Sequence, residues 1–186
     1  MTVGIIIQAR MGSTRLPGKV LRVMGDKPLL GHIVHRLHTL KTPAKIIVAT
    51  SNLPADDAIA HWCVANSVAC FRGNEQDVLD RYFTCATEHK LAHIVRLTGD
   101  NPFTDTEELD RLIELHMSSD HDYSHSFGQL PIGVGAEIFT LDALRRSHTE
   151  GFAPHHREHV NDYILEHSPL FRVGTLEVPA EKRAPT

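Results

Sequence analysis

Short apolar, β-branched runs alternate along the first hundred residues with stretches in which apolar positions recur every three or four residues. The runs cover residues 3–9, 45–50, 67–71 and 93–98, each the length expected of a strand buried on both faces. After the first run, Leu29, Leu30, Ile33, Val34, Leu37 and Leu40 share one face of a helix predicted over 28–41. Pro28 suits its first turn, where a missing N–H costs nothing. Residues 55–66 and 77–89 predict two more helices, the second turning Val78, Leu79, Tyr82, Phe83 and Ala86 inward. A fourth, over 104–117, carries Asp105, Glu107 and Glu108 in its first turn, where the helix dipole favours negative charge. Alternation at this spacing predicts βαβ units and an α/β fold around a largely parallel sheet. Further on, the pattern predicts a strand over 136–140, a helix over 141–147 and another over 158–167. The polar tail, 178–186, carries no structural signal. No repeat or linker interrupts the pattern, so residues 1–186 are expected to form a single domain.

Charge narrows the partners. With 23 acidic against 19 basic residues the formal charge is −4, the wrong sign for a protein that grips a nucleic-acid backbone. The apolar runs are far shorter than the ~20 residues that cross a bilayer, so no membrane insertion is expected. Cys63, Cys70 and Cys85 form no CxxC pair and no secretory signal opens the chain, which points to a cytoplasmic protein with free thiols. Among the 14 histidines, His32, His35 and His38 repeat every third residue, and His155 and His159 form an i, i+4 pair beside His156. Such a pair can chelate a metal. With no cysteine ligand and no HExxH, surface histidines titrating between about pH 6 and 7 are the expected reading.

The chemistry gathers at the ends of the predicted strands. The first strand closes on Gln8 and Ala9 and runs into Arg10-Met11-Gly12-Ser13-Thr14-Arg15-Leu16-Pro17-Gly18-Lys19. Residues 1–25 hold Arg10, Arg15, Lys19 and Arg22 and no carboxylate, inside a chain that is acidic overall. Glycines allow close backbone approach, and several cations on one short loop match a polyphosphate. This is not a Walker A loop: five residues separate Gly12 from Gly18, and Val20 rather than Ser or Thr follows Lys19. No GxGxxG is present either. The fourth strand ends in Arg96-Leu97-Thr98-Gly99-Asp100-Asn101-Pro102, where Asp100 can hold Mg²⁺ on a phosphate substrate or cap the turn that follows. The loop from Arg72 to Tyr82 is dense in polar groups; Asn74 or Asp77 can cap a helix there, and Arg72 and Arg81 add donors.

Taken together, residues 6–19, Arg72-Gly73 with Asp77-Val78-Leu79-Asp80-Arg81-Tyr82, residues 96–102 and Arg157-Glu158-His159-Val160 resemble the motifs of the spore-coat polysaccharide cytidylyltransferases, the SpsF family, relatives of the CMP-Kdo and CMP-sialic acid synthetases. The four motifs span about residues 3–178 in the family's order. The resemblance implies a Rossmann-like nucleotide-diphosphosugar transferase fold, a mostly parallel mixed sheet with helices on both faces. It implies transfer of CMP from CTP to a sugar acid with release of pyrophosphate, Mg²⁺ as cofactor, and a homodimer. Gln8, Ala9, Arg10, Gly12, Ser13, Arg15, Lys19, Arg72 and Asp77 would bind the nucleotide, with Arg15 and Lys19 the catalytic cations. Arg81, Arg157 and His159 would lie on the sugar side, and Asp100 would hold the metal. Two departures qualify the match. The chain ends at Ala184-Pro185-Thr186, short of the strand on which the family carries a second metal-binding aspartate, and Asn101 follows Asp100 where relatives often differ. Weak turnover is therefore expected, with Glu137 the in-chain candidate for a second carboxylate. A non-catalytic nucleotide-binding module is the competing reading.

Overall fold

The computed structural model describes residues 2–13 and 16–183. Four parallel strands form one side of a seven-stranded sheet, from the edge strand inward: β5 (Ala69–Gly73), β4 (Lys45–Ser51), β1 (Val3–Gln8) and β6 (His93–Thr98). The chain starts in the middle, steps outward through β4 to β5, then crosses to β6 on the other side of β1. Strand β8 (Glu137–Thr140) runs antiparallel beside β6, followed by β7 (Tyr123–His125) and β9 (Val173–Thr175). The short strands β2 (Val23–Met24) and β3 (Lys27–Pro28) make a separate hairpin.

Helices cover both faces, as βαβ crossovers require. Within β1, Val3, Ile5 and Ile7 pack in the cluster that holds the apolar faces of α1 (Leu29–Leu37), α2 (Asp57–Ala65) and α4 (Thr106–Ser118). Ile6 belongs to the opposite cluster, with Leu79, Tyr82 and Ala86 of α3 (Val78–Glu88), Leu144 of α5 (Leu141–Glu150) and Ile164 of α7 (Asp162–Glu166). This is the α/β mixed sheet that the pattern and the resemblance imply.

Helix boundaries follow the side chains that satisfy their ends. Asp77 caps α3 through the Asp80 N–H at 2.8 Å, and Asp105 caps α4 through the N–H groups of Glu107 and Glu108, both at 3.0 Å. Several expectations change. The helix expected over 28–41 runs only from Leu29 to Leu37, with Pro28 extended in β3 just before it. The helix expected over 158–167 is broken into α6 (Pro154–Glu158) and α7, with His159 extended between them. Arg157 is pulled towards α3 while Val160 turns fully inward, and one straight helix cannot serve both. Residues 178–183 of the tail also pack onto the fold: Val178 is buried, and Lys182 reaches back to Asp105, Glu107 and Glu108 at the start of α4. That contact joins residues more than seventy positions apart, which no local pattern encodes.

Candidate active site

In an open α/β sheet the ligand crevice lies outside the carboxyl ends of the strands, where the strand order reverses. Here that point falls between β1 and β6, whose last residues, Gln8 and Thr98, pair directly. Gly99 makes the junction possible: its N–H donates to the Gln8 carbonyl at 2.7 Å. A Cβ there would stand 2.9 Å from Ala9 Cβ and 3.0 Å from that carbonyl, so only glycine fits.

Beyond these strand ends lies a two-lobed cleft. The narrow lobe, about 270 Å³, is lined by Gln8, Ala9, Arg10, Ser13, Lys19, Val20, Thr98, Gly99 and Asp100. The wide lobe, about 410 Å³, shares Gln8, Ala9 and Arg10 and adds Glu75, Gln76, Val78, Arg81, Arg96, Glu158 and His159.

The narrow lobe is a loop folded back on a carboxylate. The Gly18 N–H donates to the Met11 carbonyl at 2.9 Å, and Gly18 adopts φ 70°, turning Lys19 into the cleft. There the ammonium pairs with Asp100. Burial works to raise the Asp100 pKa, but the Lys19 ammonium and the Thr98 hydroxyl outweigh it and hold the carboxylate below its ordinary range. The start of the loop is anchored by Asp56, a buried residue between β4 and α2. Its carboxylate accepts from the Met11 N–H at 2.7 Å, the Ser51 N–H at 3.0 Å and the Ser51 hydroxyl. These donors overcome the raising effect of burial and keep its pKa low.

The wide lobe rests on a buried polar ladder. Arg96 donates from Nε to the Gln8 amide oxygen at 3.3 Å and from Nη1 to Glu137 at 2.5 Å. Glu137, 1% exposed, takes the Tyr123 hydroxyl at 2.6 Å on its other oxygen, and the Asn161 amide reaches that hydroxyl at 3.3 Å. The Arg96 guanidinium stands over the Tyr82 ring, 5.9 Å from its centroid, and the Tyr82 hydroxyl donates to the carbonyls of Ile6 and Leu97. Arg81 is also buried, donating to the Asn74 carbonyl at 2.5 Å and the Glu75 carbonyl at 3.2 Å.

Gln8, Ala9, Arg10, Ser13, Lys19, Asp100, Arg81 and His159 are thus brought to one cleft, while Arg15 lies outside the described residues. Gly12 flanks the cleft, where an added Cβ would come within 3.4 Å of a Glu75 carboxylate oxygen. Four other expected ligands are placed differently. Arg72 donates to the carbonyls of Ser51 and Leu53 at 3.0 and 2.9 Å and pairs with Asp57 at 2.7 Å, outside both lobes. Asp77 and Arg157 pair with each other at 2.7 Å, and Arg157 also donates to the His148 carbonyl, so together they tie α6 to the start of α3. Glu137, expected as a second metal carboxylate, has both oxygens taken by Arg96 and Tyr123 and is instead the floor of the site. Asp120 and Asp122 pair with Arg172 at the start of β7, the opposite end of the sheet. Sequence reasoning missed Asp56, Arg96 and Glu75 as parts of the site. Arg96 lies in the same motif as Asp100, and an apolar strand gives no sign that one of its polar members faces a cavity.

The sequence profile described as Cytidylyltransferase matches residues 4–184. The chain belongs to the cytidylyltransferase family. The spore coat polysaccharide biosynthesis protein SpsF of Bacillus subtilis is 41% identical over 185 residues, covering 97% of this chain and 77% of that protein. The 3-deoxy-manno-octulosonate cytidylyltransferase of Gemmatimonas aurantiaca is 29% identical over 149 residues, covering 78% of this chain and 54% of its own length. Among solved structures, a cytidylyltransferase from Leptospira borgpetersenii superposes with a TM-score of 0.90 at 35% identity, covering 96% of this chain and 76% of that one.

Proposed function

We propose that this cytidylyltransferase moves CMP from CTP to the hydroxyl of a sugar acid, releasing pyrophosphate, in the biosynthesis of a cell-surface polysaccharide. The observation that carries the proposal is the narrow lobe: a carboxylate-free basic loop that folds Lys19 onto Asp100 at the switch point of the sheet. Arg10, which has no ion pair among the described residues, and Lys19 present cations where a triphosphate would lie. The sugar hydroxyl attacks the α-phosphorus and the bond to the β-phosphate oxygen breaks. The charge that develops on pyrophosphate falls on the same cations, and such placement supplies most of the catalysis in phosphoryl transfer. Arg15 belongs to the same loop and is proposed to share this role.

A divalent cation fits the donor set. Asp100 offers a hard carboxylate oxygen in the cleft, and Mg²⁺ characteristically takes one or two carboxylates and completes its shell with phosphate oxygens and water. Bound there, Mg²⁺ would neutralise phosphate charge; Lys19, freed from Asp100, would turn to the phosphates. The wide lobe is proposed to take the rest of the substrates, with His159 and Arg81 on the acceptor side and the Gln8 amide held in one orientation by Arg96. A homodimer in the cytoplasm is the proposed state, supported by the exposed Val23, Met24 and Phe103; a monomer mass by light scattering would overturn it. No helix among the described residues is long and apolar enough to cross a membrane.

The test is pyrophosphate release with CTP, Mg²⁺ and a panel of 2-keto-3-deoxy sugar acids. Turnover with one of them supports the proposal. CTP binding without turnover on any acceptor favours the binding-module reading instead.

A further inference from the structure

Away from the cleft, the chain folds three metal-binding side chains onto one point. His155 and His156 stand on α6, and Glu166 is the last residue of α7. The His155 Nε2 lies 2.7 Å from one Glu166 oxygen and the His156 Nε2 lies 2.7 Å from the other. All three ligand atoms fall within 4.8 Å of one another. His156 is 7% exposed, its ring set edge-on to Tyr163 at 5.3 Å. Its Nδ1 is buried with no hydrogen-bond partner among the described residues. Tyr163 is in turn braced by its hydroxyl bond to Glu150 and by stacking on His167 at 4.3 Å.

We propose that His155, His156 and Glu166 form a binding site for a transition-metal ion of the zinc class. Two imidazole nitrogens and a carboxylate are the ligand set of open, three-ligand zinc sites. Ligand atoms around a tetrahedral zinc stand about 3.3 Å apart at bond lengths of about 2.0–2.1 Å, so a His–Glu contact of 2.7 Å would open by about 0.6 Å while wider ligand pairs, none beyond 4.8 Å, would close. One ligand is already held rigid by burial. The other two, each about half exposed, leave the fourth position to water. Imidazole ligation separates this site from the oxygen donors proposed around Asp100.

The arrangement also predicts the class of affinity. Tight zinc sites use a partner on the second ring nitrogen of each histidine, and losing that partner typically costs 10–100-fold. With the His156 Nδ1 unsupported, binding is expected in the micromolar range. A bound ion would clamp α6 to α7, and α6 leads directly into His159 of the wide lobe. In sequence, His155 and His159 form the i, i+4 pair that could chelate a metal; the break after Glu158 sends His159 to the cleft and leaves Glu166 as the third ligand.

The test is calorimetric titration of the full chain with Zn²⁺ in excess Mg²⁺, with Co²⁺ absorption as a probe of coordination geometry. One ion per chain is expected, together with intense visible bands of tetrahedral Co²⁺ and a raised Tm. Glu166→Gln and His155→Ala, both at exposed positions, should each weaken this binding at least tenfold, while Asp100→Asn should leave it unchanged. His156 is too buried for its removal to be read cleanly. No binding at 100 times micromolar Zn²⁺, or equal stoichiometry and affinity in wild type and Glu166→Gln, overturns the proposal. The outcome is independent of whether CTP is turned over.

Discussion

Lys19 and Asp100 neutralise each other across the narrow lobe, and each is proposed to exchange that partner for a ligand: phosphate for Lys19, Mg²⁺ for Asp100. Lys19→Ala should therefore weaken CTP binding by roughly 10- to 100-fold, the loss of a charge-assisted contact worth about 1.5–3 kcal/mol. It should change Tm little, because the pair is part-exposed and such pairs contribute at most about 1 kcal/mol. Calorimetry with CTP in both proteins reads the first effect, and thermal melting the second. Asp100→Asn should abolish the Mg²⁺ dependence of CTP affinity while leaving the fold intact. CTP binding that keeps its full Mg²⁺ dependence in this variant would remove Asp100 from the metal. His116 gives a different kind of prediction. Burial first, and then the neighbouring His93 and His121, lower its pKa to about 4. The unfolded chain therefore takes up this proton near pH 6.5 while the folded protein resists it. Stability should fall as pH drops from about 6.5 towards 4, by up to about 3 kcal/mol at 1.36 kcal/mol per pH unit. His116→Leu should flatten that limb of the pH–Tm curve even if its Tm at neutral pH is lower.

Around the cleft, ion pairs join strand to strand and helix to helix. Arg96 on β6 and Glu137 on β8 face each other in register, and Tyr123 on β7 completes the carboxylate's partners. Glu137→Ala would strand a guanidinium that is largely buried, which typically costs about 3–5 kcal/mol. It should also release Gln8, so denaturant melts and pyrophosphate release are both expected to fall. A variant with wild-type stability would show that the ladder carries no load. On the other side of the cleft, Asp77 and Arg157 hold α6 against α3. Arg157→Ala should destabilise the protein by about 1–3 kcal/mol while leaving CTP affinity nearly unchanged. A selective loss of nucleotide or acceptor binding at unaltered Tm would instead return Arg157 to the substrate side, as the family resemblance implies.

At the scale of the whole molecule, the parallel strands send the loops that carry Arg10, Lys19, Asp56 and Asp100 out from the same end of the sheet. Asp56 shows what this costs and how it is met: a carboxylate 2% exposed, kept ionised by three donors from two segments of chain. Its folded pKa lies below the ordinary value, so its contribution is complete above about pH 4 and disappears as pH falls through the folded value. The Tm gap between wild type and Asp56→Asn should therefore be widest near neutrality and narrow as pH falls below about 4. A gap independent of pH would mean that the charge of Asp56 does not stabilise the loop.

Local pattern alone determined the α/β class, the four parallel strands, most helix boundaries and the loop that bears Arg10 and Lys19. Each of these rests on residues within one or two turns of one another: a β-branched run, a capping aspartate, a glycine before a cation. The motif order then made the family legible, because a ligand-binding loop must keep its residues in sequence to keep them in space. Only the tertiary structure decided how the polar residues were spent. Arg72 and Arg157 look like ligands in the sequence, yet their donors are taken by carbonyls and carboxylates from other segments. Glu137 looks like a free carboxylate and is buried between Arg96 and Tyr123. Asp56 gives no local signal and anchors the loop. A buried charge must find its partner wherever the chain passes closest, and that proximity comes from the crossing of strands, not from spacing along the sequence.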